Sequence, residues 1–176
     1  MNRERLIERI HETAVLRGEF TLRSGRKSDY YIDKYRFETH PDVLAELGRL
    51  LAGHAEGCDR IAGAELGAVA LAAATSLACG KPFVIVRNAK KGYGTQKMYE
   101  GVLEKGETVL LVEDVLTTGG QVLEAAKTLE EAGAKIKQIA GVIDRQEGAR
   151  QNIEQAGYTM TAVVTTTDLG LTPGQP

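Results

Sequence analysis

Four consecutive apolar residues, Val109-Leu110-Leu111-Val112, run into two adjacent carboxylates, Glu113 and Asp114, and then into Val115-Leu116-Thr117-Thr118-Gly119-Gly120-Gln121. No other stretch limits the fold as strongly. A continuous apolar run bounded by turn residues suits a strand covered on both faces, here over Thr108 to Val112. Gly119-Gly120 opens a helical pattern over 121–132 that stops at Gly133. The same rhythm recurs along the chain. Arg60-Ile61-Ala62 leads through a glycine-flanked loop into an Ala-rich helix over 67–79, and Phe83 to Val86 is a buried-type strand. Ile136 to Ile143 is a further strand, 147–156 a helix and 158–166 a last strand. This alternation predicts an α/β fold with a parallel sheet covered by helices. Ligands of such sheets bind outside the carboxyl ends of the strands.

The N-terminal part reads differently. Leu6, Ile7, Ile10, Ala14 and Val15 recur at helical spacing, so 2–17 reads as an amphipathic helix ended by Gly18. Residues 19–35 read as extended around a Ser24-Gly25 turn. A second helix starts near Pro41, with Val43, Leu44, Leu47, Leu50 and Leu51 on its apolar face. Residues 88–100 carry Lys90, Lys91 and Lys97 with little that could pack, and read as a mobile loop or hairpin. There is no internal repeat, linker or low-complexity tract. The expectation is one domain over 1–176, with 1–35 as a small N-terminal cap and 59–168 as the core.

Composition narrows the function. With 176 residues, 43% of them hydrophobic and 26% charged, the chain is an ordinary globular sequence rather than a disordered one. A net charge of -2 offers no basic field for nucleic acid. No apolar run approaches the ~20 residues of a membrane span, and the charged start MNRERLIERI lacks a secretory core. Cys58 and Cys79 have no zinc or CxxC spacing and read as free thiols of a reducing compartment. The expected location is the cytoplasm, with neither nucleic acid nor membrane as partner.

Residues 113–121 carry the chemistry. Glycines let backbone N–H groups approach an anion, and the helix start favours phosphate. Thr117 and Thr118 add hydroxyl donors. Two carboxylates would repel a phosphate. They make sense beside sugar hydroxyls, a bound Mg²⁺ or a cation forming at a sugar carbon. The segment has neither the GK[ST] ending of a triphosphatase loop nor G-x-G-x-x-G.

The segment closely resembles the 5-phosphoribosyl-1-diphosphate (PRPP) motif of type I phosphoribosyltransferases, two acidic residues followed by a Thr/Gly loop. Three further segments resemble the orotate phosphoribosyltransferases among them. These are Phe20-Thr21-Leu22-Arg23-Ser24-Gly25-Arg26-Lys27-Ser28-Asp29-Tyr30-Tyr31, the Asp144-Arg145-Gln146-Glu147 segment, and the catalytic-loop segment Arg87-Asn88-Ala89-Lys90-Lys91-Gly92-Tyr93-Gly94-Thr95. All stand in the expected order, so the resemblance covers nearly the whole chain.

The resemblance implies a Rossmann-like phosphoribosyltransferase core with an N-terminal hood. It implies displacement of pyrophosphate from PRPP by N1 of orotate, giving orotidine 5′-monophosphate. PRPP would be bound by Arg23, Arg87, Asn88, Lys91, Tyr93 and residues Glu113, Asp114, Val115, Leu116, Thr117, Thr118, Gly119, Gly120 and Gln121. Glu113, Asp114, Arg87 and Lys91 would be the catalytic set. Arg145 would clamp the orotate carboxylate, Thr117 would touch the base, and Tyr31 and Ile32 would wall its ring. Gly63-Ala64-Glu65-Leu66-Gly67 stands where the family has its pyrophosphate loop. Mg²⁺ would be held mainly by PRPP itself, without direct protein ligands. Lys91 and its loop would reach a neighbour's site, which implies a homodimer with shared active sites. The family usually has Lys where this chain has Asn88, and often His where it has Tyr93. Two other readings share the 109–121 motif: a phosphoribosyltransferase for a purine base, and a PRPP-sensing regulator with a degenerate site. Purine enzymes are not expected to carry both the hood signature and Asp144-Arg145-Gln146-Glu147.

Overall fold

The computed structural model describes residues 1–21, 25, 27–89 and 97–173. The first helix, α1, spans Arg3–Ala14. The Asn2 side chain caps it, accepting from the Arg5 N–H at 2.9 Å, and Leu6, Ile10 and Ala14 are buried. The helical spacing extends to residue 17, yet the helix stops at Ala14. Val15 instead opens β1, Val15–Thr21, which pairs antiparallel with β2, Lys27–Ile32, placing Val15 opposite Ile32. The extended stretch is also cut short at its far end, where Lys34–Glu38 forms a five-residue helix, α2. Its Phe37 is buried, and tertiary packing rather than a visible period sets this turn of helix. Helix α3, Pro41–Ala52, buries Val43, Leu47 and Leu51, with Leu44 and Leu50 packed at the margin.

The core is a six-stranded sheet. In chain order it contains β3 (Arg60–Ala64), β4 (Phe83–Val86), β5 (Tyr99–Glu100), β6 (Thr108–Leu116), β7 (Lys135–Asp144) and β8 (Met160–Thr165). The spatial order is β5-β4-β3-β6-β7-β8, and every pairing is parallel except that of β5 with β4. Three helices connect parallel strands: α4 (Ala68–Cys79), α5 (Gly120–Glu131) and α6 (Ala149–Gln155). Strand alternation splits the core between two faces. Ile61, Leu110, Val112, Ala140 and Val142 pack in the layer containing residues of α1, α3 and α4. Ala62, Val109, Leu111 and Ile139 pack in the layer containing α5 and α6.

From β3 the chain winds one way to β4, and from β6 it winds the other way to β7 and β8. The reversal lies between β3 and β6, where open α/β sheets form their ligand crevice. Strand β6 is longer than the apolar run suggests. It continues to Leu116 because β7 pairs with it as far as Leu116 opposite Asp144, so the acidic pair lies within the strand. Cys58 is buried, Cys79 is partly so, and both are free thiols. Among the described residues no helix is long and apolar enough to cross a membrane.

Candidate active site

Two strand–loop–helix units meet at the reversal point. In the first, β6 carries Glu113 and Asp114 into its buried end and the chain turns through Thr117, Thr118 and Gly119 into α5. Gly119 adopts φ 81°, and a side chain there would also press on Ile153 of α6, so glycine is required. The Asn152 amide of α6 donates to the Thr118 carbonyl at 2.8 Å and fixes the turn from behind. The N–H groups of Gly120 and Gln121 precede the first helical hydrogen bond, Leu123 N–H to Gly119 O. No acidic side chain stands in that first turn. Unpaired N–H groups, hydroxyls and a helix N-terminus together suit an anion.

In the second unit, β3 ends at Ala64 and the chain turns through Glu65, Leu66 and Gly67 into α4. Gly67 abuts β6 so closely that a Cβ there would fall on Asp114 Oδ2. Only glycine lets this loop reach the acidic pair. Glu65 is tied to the end of β4. Its carboxylate accepts the Asn88 N–H at 2.9 Å, and its carbonyl accepts the Asn88 amide at 2.9 Å. The Arg87 guanidinium stands 3.8 Å from Glu65 and 3.3 Å from Glu100. Leu66 is exposed.

Between the units sits a buried charge cluster. Asp114 Oδ1 accepts its neighbour Val115 N–H, and Asp114 Oδ2 accepts Lys34 Nζ at 2.5 Å. Glu113 Oε1 accepts the Asp114 N–H at 3.1 Å, while Glu113 Oε2 is buried with no partner. Burial, reinforced by the Asp114 charge, holds the Glu113 carboxyl well above the usual range. Behind them, burial and then the Asp114 charge push Glu38 up to about 8, against the pull of Lys34.

A cleft of about 740 Å³ opens over the first loop. Tyr31, Glu113, Thr117 and Arg145 line it. Phe20 stacks at a tilt on Tyr31, ring centres 5.6 Å apart, which braces the hood wall. Arg145 N–H donates to Leu116 O at 2.9 Å, which places the residue directly over the end of β6. Its guanidinium pairs with Glu147 at 2.8 Å, while its Nε is buried without a partner. A second cleft of about 530 Å³ shares Gly120 and Gln121 with the first and is lined by Arg87, Asn88 and Met98.

The phosphoribosyl transferase domain family matches residues 35–170, more than half of the chain. The orotate phosphoribosyltransferase of Thermococcus gammatolerans is 49% identical over 172 residues, covering 95% of this chain and 91% of that protein. The chain belongs to the orotate phosphoribosyltransferase family. The enzyme of that name from Methanocella arvoryzae is 47% identical over 166 residues, covering 93% of this chain and 95% of its own. The orotate phosphoribosyltransferase of Mycobacterium tuberculosis, crystallised in complex with PRPP, superposes with a TM-score of 0.82 at 34% identity. That match covers 96% of this chain and 99% of the other.

The family's fold is thus present, a mostly parallel α/β core with a small hood. Of the residues expected at the site, Asp114 is buried between the two units and lines neither cleft. Tyr31, Glu113, Val115, Leu116, Thr117, Thr118, Gly119, Gly120, Gln121 and Arg145 line the first cleft, and Arg87 and Asn88 the second. Ile32 is not brought to the cleft: strand alternation turns it into the core as Tyr31 faces out, a correction to its expected place on the ring wall. Arg23, Lys91 and Tyr93 lie outside the described residues. Asn88 has a visible task, since it latches the Glu65 loop to β4. Sequence reasoning missed Lys34 and Glu38. Nothing local marks them, because their partner Asp114 is far away in the chain.

Proposed function

We propose that this chain transfers the 5-phosphoribosyl group of PRPP to N1 of orotate, giving orotidine 5′-monophosphate and pyrophosphate in pyrimidine biosynthesis. The observation that carries the reading is the meeting of the anion-suited turn at residues 117–121 and the Glu65–Gly67 turn at the buried Glu113–Asp114 pair, with Arg145 above. The 5-phosphate sits on residues 117–121, on the free N–H groups and hydroxyls of the α5 start. The pyrophosphate lies along Glu65–Gly67. The ribose spans the acidic pair, where Glu113 and Asp114 hydrogen-bond its hydroxyls. Orotate stacks on Tyr31, with Thr117 at its edge and its carboxylate on the Arg145 fork, which moves off Glu147 to receive it. The N1–C1 bond forms as the bond from C1 to pyrophosphate breaks, and the N1 proton of orotate passes to the departing pyrophosphate. Positive charge growing at C1 is stabilised by the Asp114 carboxylate.

Mg²⁺ suits this site. The carboxyl groups beside the ribose position offer only oxygen atoms, with Glu113 Oε2 unpartnered, and a hard cation seeks oxygen. It is held mainly by the oxygens of PRPP, and when bound it neutralises the pyrophosphate. Arg87 and Lys91 add cationic stabilisation of the departing group, with Arg23, Asn88 and Tyr93 on the PRPP side. Lys91 comes from the second subunit of a homodimer, so each active site is shared. The enzyme works in the cytoplasm.

The test is a spectrophotometric assay of orotate loss with PRPP and Mg²⁺, repeated with adenine and hypoxanthine as competitors. A steady rate that purines do not inhibit is the expected result. Binding of PRPP with no turnover of orotate overturns the reading. For the shared site, mixed chains carrying Lys91→Ala and Arg145→Ala regain activity as verified heterodimers. No recovery argues for self-contained sites.

A further inference from the structure

The pyrophosphate loop has no cation of its own. Its side chains are Glu65, tied to Asn88, and the apolar Leu66. Yet an anion placed there lies beside the Asp114 carboxylate, on which a Cβ of Gly67 would fall. An approaching pyrophosphate needs a positive charge on the protein side to offset it.

Lys34 stands at that spot. Helix α2 carries it to the seam between the loop and β6. Its ammonium is 2.5 Å from Asp114 Oδ2 and only 2.8 Å from the place a Cβ of Gly67 would occupy. The missing side chain at Gly67 therefore leaves the ammonium facing across the loop. Asp114 is its one hydrogen-bond acceptor among the described residues and the Tyr35 ring lies 5.4 Å from the ammonium, so at least one of its three N–H donors stays available. Its side chain is 32% exposed, against 3% for Asp114, so the pair is sealed on the carboxylate side and open on the cation side. A lysine serving only to neutralise a buried carboxylate has no use for that opening. Burial pulls its pKa down, but the hydrogen bond and charge of Asp114 more than offset this, and the group stays fully charged.

We propose that Lys34 is a substrate-binding residue, seated on Asp114 and donating across Gly67 to the pyrophosphate group of PRPP. The identity of the ligand rests on the function proposed above; the placement of the cation does not. Lys34 then touches both units, because the ammonium seated on Asp114 also grips the leaving group.

The experiment is calorimetric binding of PRPP and of ribose 5-phosphate, each with Mg²⁺, to the wild-type chain, Lys34→Gln and Lys34→Arg. Loss of a charge-assisted contact should weaken PRPP by about 10- to 50-fold in Lys34→Gln. Ribose 5-phosphate, which lacks the pyrophosphate, should bind within about twofold of wild type, and Lys34→Arg should recover most of the PRPP affinity. Equal weakening of both ligands means Lys34 only holds Asp114, and overturns the proposal; so does unchanged PRPP binding. If Lys34→Gln does not fold, acetylation of Lys34 in the wild-type protein decides. PRPP should slow it severalfold and orotate should not; equal rates with and without PRPP overturn the proposal. Orotate turnover by the wild-type chain is assayed alongside. A chain that binds PRPP through Lys34 but leaves orotate untouched contradicts the proposed reaction and not this contact.

Discussion

The β3–α4 and β6–α5 units are built alike and equipped differently. Both are parallel strands followed by a glycine-bearing turn and a twelve-residue helix, and they lie side by side in the sheet. The β6–α5 turn is self-sufficient. Its hydroxyls, its left-handed Gly119 and its free N–H groups are all local, and α6 braces it through Asn152. The β3–α4 turn borrows everything. Glu65 is held by Asn88 from the end of β4, and the cation across Gly67 comes from α2. One framework thus yields a fixed anion cradle and, next to it, a site assembled from distant segments. A cradle suits the part of a substrate that stays bound. An assembled site suits the part that must leave.

The largest effect should come from the carboxylates the units share. Glu113→Gln with Asp114→Asn should cut orotate turnover by about a thousandfold or more with the fold intact, on the proposal that these groups face the reacting sugar. Unchanged turnover in the double variant removes the acidic pair from the account. Next comes the contact between the units. Gly67→Ala puts a Cβ on Asp114 Oδ2 and should lower kcat by about a hundredfold through misplacement of the pair. A fully active Gly67→Ala enzyme would show that the loop need not approach Asp114. Arg145 belongs to the cradle side. Arg145→Ala should raise the orotate KM by about 10- to 100-fold, the cost of a lost charge-assisted fork, while the PRPP KM stays close to wild type. A shift confined to the PRPP KM reassigns that arginine.

The borrowed side was hard to read in the sequence, and the cradle was easy. Residues 109–121 hold strand, acids, turn and helix start in one stretch, so local pattern suffices. The Lys34–Asp114 contact spans 80 positions, and no spacing announces it. Helix α2 is hidden for a related reason. Its five residues are too few to show a period, and it forms where Phe37 is buried. The end of α1 was misplaced because Val15 satisfies both a helical stripe and a strand, and pairing with Ile32 decides between them. Tyr31 and Ile32 both looked fit to wall a ring, and only the strand's phase separates them.

The smallest effect probes the buried cluster through pH. In the folded chain Glu38 is raised from 4.5 to about 8. Its contribution to stability is complete below pH 4.5 and is lost as pH rises through about 8. Glu38→Gln, which has no proton to lose, should therefore gain on the wild type across that window. Thermal melts of the two proteins between pH 5 and 9 measure this. Parallel curves would show that burial does not raise the Glu38 carboxyl in the folded chain.

The division of labour between the two turns is tested most directly by amide NMR of the ¹⁵N-labelled chain. Ribose 5-phosphate and Mg²⁺-pyrophosphate are titrated separately. The account predicts that ribose 5-phosphate shifts the amides of Thr117 to Gln121, and pyrophosphate those of Glu65 to Gly67. Both ligands moving the same set would contradict it.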